Sequence, residues 1–336
     1  MKSNGMLRQK ETRRKRKFRK RALLFLPVLV IIIFFLLCNS LVDVALVPAV
    51  MERTQAFSDI TEESVAAQVH TSDIEQNHIK SIQNTNDWLS NVKWEDLSLQ
   101  TKDGYRLLGT MIFTEKPSHK WVMLLHGYTG WKEEMYPIAY EYAKRGYQVL
   151  CPDMRCNGQS EGDFIGMGWT DRLDNQLWLE EILKRDSQAE IVIHGQSMGA
   201  AGALMMTGEV LPLQVKAVVS DCGYTNVYEM FQKQLKEWFH LPGFPILDGA
   251  NLVLQLRGGY NIRKASALEA VKKSKIPILF IHGDQDQFVP VEMAKELYEA
   301  ANCEKELLII KGAGHAQSQD KDPDLYYDTI FDFLPL

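Results

Sequence analysis

The chain has 336 residues, 46% of them hydrophobic and 24% charged, which is enough for one large α/β domain with appendages and unlike a disordered chain. The formal net charge of −5 hides an asymmetry: residues 1–21 hold eleven Lys or Arg against one Glu, so the remainder carries about −15. A basic tail on so acidic a body argues against a nucleic-acid partner. Five cysteines without CxxC or His-rich spacing indicate neither a metal site nor a disulfide scaffold; a Cys151–Cys156 bridge across one loop stays open.

The basic run over residues 13–21 is followed by sixteen apolar residues, 22–37, with a weaker apolar continuation to Val50 interrupted by Asn39 and Asp43. This predicts a single-pass transmembrane anchor over 22–45. The tail 1–21 is then cytoplasmic, and everything beyond the anchor is extracytoplasmic at the cell membrane. A cleaved signal peptide competes, with Val47-Pro48-Ala49 as a poor cleavage site. Lipoprotein processing at Cys38 is disfavoured by Leu36 and Leu37 before it. Residues 46–91, polar from Glu52 onward, read as a partly helical stalk, with Val65/Val69 and Ile79/Ile82 on one narrow apolar face and its last part docked on the main domain.

That main domain is expected over 92–336. Strands are predicted over 92–101 and 105–113, joined by the Lys102-Asp103-Gly104 turn, then over 121–125 and 147–151 with a helix over 133–145 between them. A helix over 170–184 carries Leu173, Leu177, Trp178 and Ile182 as its apolar side. Later apolar runs over 191–193, 216–220, 276–281 and 307–310 read as buried strands. Between the second and third of these the sheet pattern lapses over 224–275. That insertion places Tyr228, Phe231, Leu235 and Trp238 at helical spacing, then a break over 241–245, then a second helical stretch over 250–256.

The chemistry-bearing pattern is Gly195-Gln196-Ser197-Met198-Gly199, preceded by a strand and followed by small helix-forming residues. This is a nucleophile elbow, in which the serine takes a strained backbone and the glycines let strand and helix pass closely. A serine hydroxyl needs a base to take its proton and a carboxylate to orient that base. Downstream, one strand ends in the acidic turn containing Asp284 and Asp286, and the next in Gly312-Ala313-Gly314-His315. The expected catalytic residues are therefore Ser197, Asp286 and His315, with Asp221 and Asp284 as rivals for the acid. Asp153 and Arg155 are expected to pair and tie down their loop, and His126, His194 and His282 to be packed histidines. Asp322 with Pro323 reads as a helix start rather than part of a calcium loop.

Five segments in order carry a resemblance: residues 126–130 (HGYTG), 152–160 (PDMRCNGQS), the elbow, 282–290 (HGDQDQFVP) and 312–316 (GAGHA). From Trp94 onward the chain resembles the α/β-hydrolase family, of the bacterial membrane-anchored serine-esterase type. Asp286 fits that family's His-Gly-x-x-Asp-x-x-Val-Pro pattern; Cys156 departs from it, standing where glycine is usual. The resemblance implies a mostly parallel eight-stranded sheet with helices on both faces and a helical cap formed by 224–275. It also implies an oxyanion hole made by the backbone N–H groups of Tyr128 and Met198, and no metal or organic cofactor. Trp238, Phe239 and Phe244 of the cap are candidates for an apolar substrate pocket. The expected activity is hydrolysis of a small-molecule ester or related acyl compound through an acyl-enzyme. Peptidase, thioesterase or acyltransferase chemistry with the same triad is the alternative, as is a silent membrane-tethered binding module.

Overall fold

A computed structural model of the chain describes residues 25–51 and 71–335. The basic tail 1–21, the first residues of the expected anchor, the stalk segment 52–70 with Val65 and Val69, and Leu336 lie outside the described residues.

Eight strands form one sheet: β1 (Lys93–Gln100), β2 (Arg106–Phe113), β3 (Lys120–Leu125), β4 (Gln148–Pro152), β5 (Glu190–Gln196), β6 (Val215–Asp221), β7 (Ile278–Gly283) and β8 (Lys305–Ile310). Their order across the sheet is β1-β2-β4-β3-β5-β6-β7-β8. The β1–β2 and β2–β4 pairings are antiparallel and the rest parallel. The central strands are apolar at nearly every position because both faces are covered. In β3, Trp121, Met123 and Leu125 pack on one side while Val122 and Leu124 pack on the other, and in β5 Ile191 and Ile193 oppose Val192 in the same way.

Helices α1 (Phe25–Leu46) and α2 (Ser72–Leu89) precede the sheet. Within and after it come α3 (Tyr136–Ala143), α4 (Asp171–Arg185), α5 (Met198–Met206), α6 (Val227–Phe239), α7 (Ile246–Gly258), α8 (Ala267–Val271), α9 (Val291–Ala300), α10 (Ser318–Lys321) and α11 (Pro323–Phe333). One face of the sheet is covered by α4, α5, α9 and the cap helices α6 and α7, and the other by α3 and α11. As expected, α11 starts on Asp322, whose side chain accepts from Leu325 N, with Pro323 at the first turn.

Two expected helix faces differ from the structure: in α4 Trp178 and Ile182 are buried as expected but Leu173 is not, and in α2 both expected isoleucines face outward. In α4, Leu173 is exposed, and the buried stripe is Asp171, Asp174, Asn175, Trp178, Leu179 and Ile182. Its first turn buries polar groups because the neighbouring loops supply partners: Arg155 bridges to Asp174 at 2.9 Å, and Gly168 N donates to Asp171. In α2, Ile79 and Ile82 face outward, while Ile74 and Thr85 are buried. This helix docks largely by polar contacts, Asn77 and His78 on Asp320 at 2.9 and 3.0 Å and Asp73 on Lys321, with Trp88 against Tyr140. Sparse apolar residues on a polar helix fix no single face, so partners outside the helix decide its orientation.

Helix α1 has two parts. From Phe25 to Leu37 nearly all side chains are exposed, whereas Cys38, Val42 and Leu46 are buried against the cap. Cys38 and Phe34 lie over Gly249, where any Cβ would meet them at under 3 Å. Asn39 and Asp43 accept from Arg257 of α7 at 2.7 and 2.6 Å. The carbonyl of Leu46 accepts from Ile165 N.

Candidate active site

The turn after β5 holds Ser197 at φ 54° and ψ −114°, a strained conformation for a residue with a side chain. A Cβ on Gly195 would sit 2.2 Å from the carbonyl oxygen of Gly199, and one on Gly199 would sit 2.1 Å from that of Leu125. Glycine is therefore required sterically at both flanks, as the elbow pattern anticipates.

Ser197, Asp286 and His315 come from the turns after β5, β7 and β8 and meet at the carboxyl edge of the sheet. His315 Nε2 lies 2.8 Å from Ser197 Oγ, and His315 Nδ1 lies 2.7 Å from Asp286 Oδ2. All three are buried. The other oxygen of Asp286 accepts from the backbone N–H of Phe288 and Val289 at 2.9 and 2.8 Å. His282 Nε2 also approaches Asp286 Oδ2, at 3.2 Å, and Val289 O at 2.8 Å. Burial alone would raise the Asp286 carboxyl, but the charge of His315 and the hydrogen bonds from His282 and His315 overcome it and hold the group well below the ordinary range. Phe288 packs against His315 with the rings tilted and their centroids 4.9 Å apart, and Trp238 packs against Phe288 at 6.1 Å.

The rival carboxylates are engaged elsewhere. Asp284 accepts from Gly312 N at 2.6 Å. Fully buried Asp221 accepts from Gln196 and Tyr326, and burial pushes its pKa up to about 6. His194 sits between the hydroxyls of Tyr142 and Tyr326, and burial depresses its pKa to about 3. His126 Nδ1 donates to Gly127 O while Nε2 accepts from Met154 N; burial lowers its pKa to about 4, so the neutral ring clamps the loop leading to Tyr128. Asp153 and Arg155 do not pair as expected. Asp153 takes Lys132 N, Lys132 Nζ and Gln159 N, while Arg155 bridges Asp103 and Asp174. Each ties down the loop, but with separate partners.

Cys151 and Cys156 are both free thiols, with Cys156 at φ 62° in the left-handed region where glycine would be unstrained. The polar atoms of Cys222, Asp286 and His315 lie within 4.8 Å of one another. The aspartate and histidine atoms there already bond each other, Ser197 and the backbone, and burial raises the Cys222 thiol well above its usual range. A metal would have to break the very contacts that align Ser197, so the donor set fits none.

Beside Ser197 opens an apolar pocket of about 1050 Å³, its mouth included. Tyr128 and Met198 line it, as do Trp238 and Phe239 of the cap. Phe244 does not: it is 78% exposed in the bend before α7, because the cap turns there toward solvent. What the sequence reasoning missed is α1, whose residues Leu41, Val42, Val44, Ala45 and Leu46 form part of the pocket wall. The Tyr128 hydroxyl donates to the carbonyl of Ala45 at 2.5 Å, joining the expected oxyanion loop to α1. The available signal was the apolar continuation past Leu37.

A model of the α/β-hydrolase fold matches residues 120–245, and one of the S33 serine aminopeptidases matches 255–322. The uncharacterized protein YqkD of Bacillus subtilis is 30% identical over 214 residues, covering 63% of this chain and 70% of that protein. The chain belongs to the α/β-hydrolase family. A carboxylesterase of B. subtilis is 23% identical to this hydrolase, covering 66% of it and 95% of the relative. Among solved structures, an esterase of Pyrococcus furiosus, Pf2001, superposes with a TM-score of 0.59 at 26% identity, covering 74% of this hydrolase and 92% of the esterase.

Proposed function

We propose that this hydrolase is a membrane-anchored serine esterase acting on carboxylic esters through Ser197, His315 and Asp286. The observation that carries the reading is the continuous hydrogen-bonded chain from Ser197 Oγ through both nitrogens of His315 to Asp286, at 2.8 and 2.7 Å. Ser197 Oγ attacks the ester carbonyl carbon while His315 Nε2 takes its proton. The resulting oxyanion is held by the backbone N–H groups of Tyr128 and Met198, each such donor typically contributing about 3 kcal/mol. His315 returns the proton to the departing alkoxide, leaving an acyl-Ser197. Water then attacks with the same histidine as base, releasing the carboxylic acid and restoring the serine. Asp286 keeps Nδ1 protonated and stabilises the transient imidazolium.

The retained anchor is supported by the burial of its C-terminal third. Removing residues up to Ala49 would strip the cap of Val42 and Leu46 and take away the Ala45 carbonyl that accepts from the Tyr128 hydroxyl. The domain division proposed is tail 1–21, anchor 22–45, stalk 46–91 and hydrolase domain 92–336, with the tail cytoplasmic by the charge rule.

The test is labelling of the membrane-bound, full-length protein by a fluorophosphonate, together with hydrolysis of p-nitrophenyl butyrate. Labelling and turnover are expected in the natural protein and absent in Ser197→Ala. Folded protein that neither labels nor turns over would leave the binding module as the better reading.

A further inference from the structure

The wall that α1 contributes to the pocket carries a consequence for the substrate. A hydrocarbon core of about 30 Å takes about 20 helical residues at about 1.5 Å each. Counted from the end of the basic run at Arg21, that length is used up near Leu41 and Val42. Those two residues already line the pocket beside Ser197. The side chains at this depth agree: Asn39, Asp43 and Arg257 form a polar cluster at the level where the bilayer gives way to its headgroups, whereas the turns from Phe25 to Leu37 present apolar side chains outward. On α7, the cap helix against which α1 packs, Leu252 and Leu256 are also exposed, one turn apart. Among the described residues no charged side chain lines the pocket, whose surface is aliphatic and aromatic apart from a few groups such as Ser197 and Gln234.

Taking the serine-esterase reading as its basis, we infer that the substrate is a lipid ester resident in the bilayer, whose acyl chain passes from the membrane along α1 into this pocket. The chain lies against Leu41, Val42, Val44 and Ala45 while its carbonyl reaches Ser197. Helix α1 is then anchor and pocket wall at once. The uncharged lining accepts the chain, and the alcohol part of the ester, bonded to the same carbonyl, lies beside Ser197. The reaction is ordinary ester hydrolysis: water is consumed, and a fatty acid and the lipid alcohol are released.

The experiment uses the full-length protein in phosphatidylcholine vesicles. It is labelled with a hexadecyl fluorophosphonate bearing a diazirine midway along the chain, then irradiated, digested and mapped by mass spectrometry. Cross-links from the phosphonylated Ser197 to residues 41–46 are expected. Labelled Ser197 with cross-links confined to other segments overturns the lipid assignment while sparing the esterase reading, and failure to label Ser197 overturns both. In the same vesicles the rate on 1-oleoylglycerol is compared with that on p-nitrophenyl butyrate. Val44→Trp, which fills the pocket from the α1 side, is expected to lower the ratio of the two rates at least tenfold, and an unchanged ratio in labelled protein also overturns the inference. If Val44→Trp misfolds, the cross-linking map of the natural protein decides alone.

Discussion

Asp221, Asp284 and Asp286 all lie at or just past the ends of neighbouring strands, and their hydrogen bonds separate their roles. Asp286 bonds His315 Nδ1, whereas Asp221 and Asp284 bond a glutamine, a tyrosine and a backbone amide. Asp286→Asn is therefore expected to lower kcat for p-nitrophenyl butyrate by a factor on the order of 10³–10⁴, because an amide in that place favours the wrong tautomer of His315. Asp221→Asn should stay within about tenfold of the natural rate; steady-state kinetics on the purified pair checks both. Gly199→Ala is expected to fail earlier, at folding, since its Cβ would lie 2.1 Å from a main-chain oxygen that cannot step aside; a marked fall in Tm or loss of folded protein is the readout. These positions were readable from sequence because each is tied to a strand end by a short motif. The partners of Asp153 and Arg155 were not, because Lys132, Asp103 and Asp174 reach them from elements distant in the chain.

Among the elements, the parallel strands were the most legible, since burial on both faces leaves uninterrupted runs of β-branched and aliphatic residues. The cap helices were legible too, α6 by its aromatic spacing. Helix α4 shows where periodicity misleads: its first turn buries Asp171, Asp174 and Asn175, while the apolar Leu173 points outward. Asp171 is fully buried, with Oδ2 accepting from Gly168 N and Oδ1 without a hydrogen-bond partner among the described residues. Burial, then the neighbouring Asp174, raises its pKa to about 7. A carboxyl whose folded pKa is raised binds its proton more tightly in the folded state. Its contribution to stability is therefore complete below about pH 4 and is lost as pH rises through about 7. Asp171→Asn keeps an acceptor for Gly168 N and cannot ionise. Its Tm relative to the natural protein is expected to rise between pH 5 and pH 8; a difference that does not change with pH would contradict the assignment.

At the scale of the whole molecule, α1 is where the sequence said least. A membrane span is recognised by uniform hydrophobicity, and that uniformity hides the stripe of Cys38, Val42 and Leu46 that packs on the cap. Asn39, Ser40 and Asp43 break the run, and Arg257, the partner of Asn39 and Asp43, lies over two hundred residues away. Because this stripe is part of the folded domain, the anchor and the hydrolase should behave as one body. On the proposed anchoring, a bilayer covers the exposed apolar turns from Phe25 to Leu37, and the contacts of Ala45 and Leu46 are kept because the segment stays attached. The protein recovered from cell membranes is accordingly expected to resist alkaline carbonate extraction and to have an intact mass that includes residues 25–51. Protease added outside intact spheroplasts is expected to digest the hydrolase domain while sparing an epitope at the N-terminus. A soluble form beginning near Met51 would show that the apolar helix is a cleaved leader, and protection of the hydrolase domain would reverse the orientation. The first result would separate the pocket from the helix, against the packing of Val42 and Leu46 into the same apolar cluster as the cap; the second would leave the pocket beside the proposed anchor but on the other side of the membrane.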